Sequence, residues 1–257
     1  MSTPNTFNWV DLMTTDQQVA KNFYTELFGW QTRDEPIDDD NTYTMFMSGD
    51  DSIAGAGEYP DEQKQQGMPP VWNNYITVED VDAKAKEAEQ LGATVVMPPM
   101  DVMTAGRMAM LQDPGGAFVS LWEDRDHSGA TKFNEPGALT WNELATADTQ
   151  ASGEFYTSLL GWTEETRDFG GRPYTTFSNS DRPTAGMLDM TGVVPEGVPP
   201  HWMAYFAVAD ANATIADVER LGGQTMNGPR DLPGVGTMAV LTDPQGAAFA
   251  ILQPEQR

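Results

Sequence analysis

Apolar positions along this chain follow two rhythms, one returning every three to four residues and one every second residue. Between Asp16 and Gly29 the side chains Val19, Phe23 and Leu27 recur every four residues, the spacing that lays one apolar stripe along a helix. Asp16 stands where a carboxylate accepts from the free N–H groups of a first helical turn. Gly29 stands where a left-handed C-terminal turn favours glycine. The same grammar returns from Asp80 to Gly92, from Asp148 to Gly161 (with Ala151, Phe155 and Leu159) and from Asp210 to Gly222 (with Val218 and Leu221). Each helix follows a short strand-like run and precedes several more. The clearest of these is a hairpin, "GRMAMLQDPGGAFVSLW", answered later by "GTMAVLTDPQGAAFAILQ". Its Asp-Pro-Gly-Gly supplies proline at the second turn position and glycines where φ turns positive. The pattern predicts β-α-β-β-β four times over, an α+β protein.

The repetition also holds residue by residue. Trp9, Asp16, Phe23-Tyr24 and Gly29-Trp30 return as Trp141, Asp148, Phe155-Tyr156 and Gly161-Trp162. Pro69-Pro70-Val71-Trp72 is answered by Pro199-Pro200-His201-Trp202, and "LQDPGGAFVSL" by "LTDPQGAAFAI". Between the copies runs "EDRDHSGATKFNEPG", polar and without period, which reads as a linker. The expected division is residues 1–123, a linker at 124–136, and residues 137–257, with two modules in each half.

Composition narrows the function. The 257 residues include no cysteine, which removes disulfides, thiolate metal sites and a catalytic thiol. Thirty-nine acidic against fourteen basic residues leave a net charge of −25. Such a field repels phosphate backbones and anionic lipid, so neither nucleic acid nor membrane is an expected partner. The acidity suits a saline habitat or simply a well-solvated surface. No leader and no membrane-spanning run stand out, and the expectation is a cytoplasmic protein. The acidic stretch Asp34–Asn41 is expected to be a loop rather than a calcium site.

These marks, "W-x-[DE]-L-x-T-x-D", "FY-x-x-L-[FL]-G-W", "PP-x-W" and "DP-x-GA", each present twice, resemble the vicinal oxygen chelate superfamily of glyoxalases, bleomycin-resistance proteins and extradiol dioxygenases. The likeness is to its duplicated actinobacterial-type members and covers nearly all of the chain outside the linker. It implies that the βαβββ modules pair into two incomplete, cupped barrels with the site inside the cup. Metal-using relatives place a ligand on each module's first strand, seven residues before the capping aspartate, and a glutamate seven residues after the hairpin aspartate. Those positions hold Trp9, Asn73, Trp141 and Met203, and Ser120 and Ala250. No metal is therefore expected, although a divalent ion bound by other carboxylates stays open. Only His127, in the linker, and His201, beside a proline pair, are histidines. Both read as surface residues, too few for a non-haem iron site.

If Trp9 and Trp141 occupy the inward position, alternation turns Asp11 and Glu143 inward with them. An inward acid serves as a general base or cation-recognising group, or satisfies strand N–H groups. Tyr75 and Tyr205 face inward by the same count, with Asn73 beside the first. Pairing Ala109 with Ser120 across the hairpin turns Arg107 inward opposite Trp122, to hold an anionic ligand group or to pair with Asp11. Met108 and Met110 then face the helices. Trp30 and Trp162 read as core. "GEYPDEQKQQG" and "LDMTGVVPEG" read as loops over the cup mouth.

The functional expectation is a binder of a small organic molecule, with Trp9, Asn73, Tyr75, Arg107, Ser120, Trp141, Met203 and Tyr205 lining aromatic cups. The alternatives are a lyase or isomerase in which Asp11 or Glu143 moves a proton, and a catalytically silent contact module. The internal duplication suggests a monomer with pseudo-symmetry.

Overall fold

A computed structural model describes residues 3–38 and 41–255. Its elements follow the β-α-β-β-β grammar four times. The first module is β1 (Thr6–Thr14), α1 (Gln17–Phe28), β2 (Gln31–Pro36), β3 (Thr42–Ser48) and β4 (Asp51–Glu58). A short helix, α2 (Asp61–Gln65), precedes the second: β5 (Val71–Thr77), α3 (Val81–Gln90), β6 (Thr94–Val102), β7 (Gly106–Gln112) and β8 (Phe118–Asp124). The third is β9 (Leu139–Thr146), α4 (Thr149–Leu160), β10 (Thr163–Asp168), β11 (Pro173–Asn179) and β12 (Arg182–Asp189). The fourth is β13 (His201–Ala207), α5 (Ala211–Arg220), β14 (Gln224–Leu232), β15 (Gly236–Thr242) and β16 (Ala248–Pro254). Two eight-stranded mixed sheets result, ordered β2-β3-β4-β1-β5-β8-β7-β6 and β10-β11-β12-β9-β13-β16-β15-β14. Each sheet pools two modules, the α+β arrangement that the repeat implies.

The capping aspartates act as expected. Asp16, Asp80, Asp148 and Asp210 each accept from the N–H three residues on, at 2.8–3.0 Å. The apolar stripe of α1 is rotated from the expected one: Ala20, Phe23 and Tyr24 are buried, whereas Val19 is exposed. Tyr24 is amphipathic and lies outside the Val19, Phe23, Leu27 series, yet its ring is fully buried. In α4 the buried face likewise carries Ser152, Phe155, Tyr156 and Leu159, with Ala151 at its margin. "GEYPDEQKQQG" is partly helical, as α2, rather than a plain loop. In the acidic stretch, Asp34–Pro36 close β2 instead of forming a loop, and Asp39 and Asp40 lie outside the described residues.

The hairpin register differs by one residue from the expected one. Arg107 pairs with Glu123, Met108 with Trp122, and Met110 with Ser120. The Asp113 N–H donates to Ala117 O and the Gly116 N–H to Asp113 O, leaving three residues in the loop. Gly116, at φ +100°, takes the left-handed place that such a loop requires. One extra loop residue reverses the facing of every side chain. Met108 and Met110 therefore share a face with Trp122 and Ser120, and Arg107 turns away from it.

Packing divides the chain into two compact units. One holds the chain up to Trp9, Asn73–Gly129 and Trp141–Met203; the other holds Val10–Trp72, Ala130–Thr140 and Ala204 onward. Each has its own buried core. In the first, Ile76, Val81, Leu111 and Leu121 pack with Leu144, Phe155, Leu159 and Trp162. In the second, Leu12, Phe23, Trp30 and Phe46 pack with Phe206, Val218, Leu241 and Phe249. The sheets thus follow the duplication, while each core joins modules from different halves.

The repeated marks meet inside these cores. In the second unit the Trp72 indole N–H donates to Tyr24 Oη at 3.0 Å, and Tyr24 donates to Asp243 at 3.2 Å. In the first, Trp202 donates to Tyr156 at 2.8 Å and Tyr156 to Asp113 at 2.9 Å. The other oxygen of each aspartate accepts hairpin N–H groups. Burial, then the adjacent aspartate, pushes both tyrosines well above their usual range, and burial raises both aspartates. The "PP-x-W", "FY" and "DP-x-GA" marks are therefore parts of two structural relays. A buried Trp, Tyr or Asp left without its partner would lose stability, which explains their coexistence.

Candidate functional site

In the first unit the first-strand and hairpin positions converge on an aromatic wall. Tyr75 on β5 pairs directly with Ser120 on β8, and Thr77 with Trp122. Alternation then puts Tyr75, Thr77, Ser120 and Trp122 on one face. The rings of Tyr75 and Trp122 lie edge to face at 6.2 Å. His127 stands edge-on to Trp122 at 5.8 Å and to Trp9 at 4.5 Å. His127 is half-buried rather than at the surface, because its segment is tied down. The Trp122 indole donates to His127 O, the His127 N–H to Ala105 O, and the Asn8 amide to Ser128 O. Gly106 permits this: a Cβ there would run into the Trp122 indole. Trp9 and Ser120 are 4% and 1% exposed. The hydroxyls of Ser120 and Thr77 are buried without a hydrogen-bond partner among the described residues, which a native fold rarely tolerates without a use.

The two inward carboxylates each carry a tyrosine. In the second unit Asp11, 6% exposed on β1, accepts from Tyr43 Oη at 3.1 Å and sits opposite Gly55 on β4. Tyr59, raised by burial and then by Asp11, completes this group. In the first unit Glu143 on β9 accepts from Tyr174 Oη at 2.8 Å and sits opposite Gly186 on β12. Tyr174 in turn accepts from the Trp141 indole N–H at 2.9 Å. Burial, then Glu143, holds the Tyr174 hydroxyl far above its usual range, so it is a donor at neutral pH. A Cβ on Gly55 would run into the Tyr43 hydroxyl, and one on Gly186 into Tyr174 and Trp141. Tyr43 and Tyr174 are not among the site residues expected from the sequence. Their signal was present as "YTMF" and "YTTF", each followed by Ala-Gly on the next strand.

Other expected residues fare differently. Arg107 is not a cup residue. It bonds Asp82 at 2.6 and 2.9 Å and Asp101 at 2.8 Å, with Arg125 also on Asp101. Its hydrogen bonds hold both aspartates below the usual carboxylate range. Met203 and Tyr205 on β13 are buried, the latter paired with Ala250 in the second unit. His201 is half-buried at the start of β13, its Nδ1 2.9 Å from Pro199 O. Two surface hollows, one of about 510 Å³ beside Asp231, Thr237 and Gln253 and one of about 320 Å³ beside Asn5, Asp80 and Lys84, contain no expected site residue.

The donor set does not fit the metal of the metal-using relatives. Trp9, Asn73 and Ser120 offer an indole, an amide and a hydroxyl, and Trp141, Met203 and Ala250 offer less. Among the described residues no group of three or more His, Cys, Asp or Glu is placed to hold an ion. No helix among them is long and apolar enough to cross a membrane.

Comparison with known proteins agrees with this architecture. Residues 6–121 match the model of the Glyoxalase/Bleomycin resistance protein/Dioxygenase superfamily, and residues 141–252 that of a glyoxalase-like domain. A candidate glyoxylase of Mycobacterium tuberculosis, CFP32, is 43% identical over 96% of this chain and 94% of its own. The anthracycline biosynthesis protein DnrV of Streptomyces peucetius is 35% identical over 95% and 92%. Among solved structures, the Mn(II)-bound glyoxalase from Novosphingobium aromaticivorans aligns with a TM-score of 0.66 at 17% identity, covering 98% of this chain and 83% of that one. The 2,3-dioxygenase LapB from Pseudomonas sp. KL28 aligns at 0.64 and 15%, covering 99% and 94%. At such identities these two likenesses speak for the fold alone. With a family match in each half, the chain belongs to the Glyoxalase/Bleomycin resistance protein/Dioxygenase superfamily as a duplicated member.

Proposed function

We propose that this protein binds a small, flat organic molecule against the wall of Trp9, Tyr75, Trp122 and His127, without using the metal of its relatives. The observation that carries this reading is the ring cluster standing over two buried, unpartnered hydroxyls. Rings supply apolar contact, and the Ser120 and Thr77 hydroxyls supply hydrogen bonds to a carbonyl or hydroxyl of the ligand. The relative named for anthracycline biosynthesis supports it, since anthracyclines are flat, polycyclic and oxygen-rich. A monomer in a cytoplasmic setting goes with this reading.

Tryptophan fluorescence titration with 2-(hydroxymethyl)anthraquinone tests it. Saturable quenching is expected. Trp9→Ala should weaken binding by tenfold or more, since ring stacking contributes roughly 0.5–1.5 kcal/mol beyond its buried area. Ser120→Ala should weaken it severalfold, for a hydrogen bond worth about 1 kcal/mol. Unchanged affinity in both variants sinks the proposal.

One observation favours a second, enzymatic reading. Both halves place a tyrosine hydroxyl on an inward carboxylate, a pairing suited to proton transfer in a lyase or isomerase. On that reading Asp11→Asn or Glu143→Gln abolishes turnover of a ketoaldehyde–thiol hemithioacetal and leaves anthraquinone binding intact. Absence of turnover in the parent protein removes this reading.

A further inference from the structure

The two copies of the carboxylate–tyrosine pair have diverged. In the second copy Trp141 and Glu143 lie two residues apart on β9 and share a face, and Tyr174 on β11 bonds both. A third ring joins them: Phe169, at the β10–β11 turn, lies 6.1 Å from Tyr174 at an interplanar angle of 46°. The turn is closed by Phe169 N–H donating to Arg172 O at 2.7 Å. All four residues are half-buried and keep some exposure to solvent. The first copy has Trp9, Asp11 and Tyr43, but the position answering Phe169, the first residue after the edge strand, is the aliphatic Ile37. Arg167, paired across the strands with Tyr174, is engaged by Glu165 at 2.8 Å.

We infer that Trp141, Phe169, Tyr174 and Glu143 form a site for an organic ammonium group. Aromatic faces carry negative potential and attract cations, the more so beside a carboxylate. Three rings and an acid suit a methylated or alkylated nitrogen, whose surface is apolar and whose charge is positive. The hydrogen bonds from Trp141 to Tyr174 and from Tyr174 to Glu143 hold ring and carboxylate in place without a ligand. Gly186 beneath them makes that approach possible. The net charge of −25 raises the local concentration of any cation. This site is separate in its residues from the Trp9 wall and stands or falls independently of it.

Calorimetric titration at constant ionic strength with choline chloride and its uncharged isostere 3,3-dimethylbutan-1-ol tests the inference. Choline is expected to bind saturably, and the alcohol at least tenfold more weakly. Glu143→Gln keeps the size of the side chain and an acceptor for Tyr174, so it should fold, and should weaken choline binding tenfold or more. Phe169→Ala, in an exposed turn, should weaken it severalfold. Trp9→Ala should leave it unchanged. Equal binding of the alcohol overturns the inference. So does choline binding that survives both Glu143→Gln and Phe169→Ala, which marks attraction to the acidic surface alone.

Discussion

Asp11 and Glu143 differ by one methylene, yet both accept from a tyrosine across a strand pair with glycine opposite. The glycines are the quiet part of this arrangement. Gly186→Ala should push Tyr174 and Trp141 apart, costing roughly 1–3 kcal/mol by overpacking. The check is the urea midpoint together with the ammonium titration, both of which should fall. A full-strength variant would mean that the β11–β12 strands shift freely. Arg107 teaches the opposite lesson, since counting across the hairpin turned it inward and one extra loop residue turned it out. Arg107→Met should therefore leave anthraquinone affinity within twofold of the parent, and a large loss would restore Arg107 to the site.

At the scale of elements, the Trp–Tyr–Asp relays tie the hairpin turns to helices α1 and α4 and to strands β5 and β13. Tyr156→Phe leaves the Trp202 N–H and Asp113 short of a partner and should cost about 1–3 kcal/mol. The relays also set a pH dependence. Burial raises Asp113 and Asp243 in the folded state above the unfolded value of about 3.9. The folded protein then binds more protons than the unfolded one between those values, so this contribution weakens stability as pH rises through that window. Asp113→Asn removes the titration and keeps the shape. Its stability relative to the parent should rise from pH 3.5 to pH 7 and then level off, as read from urea melts. A difference independent of pH would show that Asp113 titrates alike in both states.

At the scale of the whole molecule, each core takes residues from both halves, so neither half buries its own apolar surface. Residues 1–129 alone should lack a cooperative thermal transition, and mixing them with 130–257 should restore one. A stable isolated half would mean that the sheet, not the core, is the folding unit. The charge of −25 adds self-repulsion that salt screens within a Debye length of about 10 Å at 0.1 M. Raising sodium chloride to 1 M should accordingly raise the melting temperature.

Local pattern was enough for the four βαβββ modules, the capping aspartates and the duplication, because period, caps and turn residues act over a few neighbours. It also marked Trp9, Tyr75, Ser120, Trp141 and Glu143, since alternation along a single strand is local. Tertiary structure decided what depends on pairing between strands and on which faces meet. A one-residue register step exchanged Arg107 for Met108 and Met110. Tyr43 and Tyr174 reached their carboxylates only through the sheet. His127 joined the aromatic wall because backbone hydrogen bonds hold its segment there. The repeated Trp72 and Trp202, with Tyr24 and Tyr156, proved to be internal ties, because a buried polar side chain needs a partner that only the folded chain supplies.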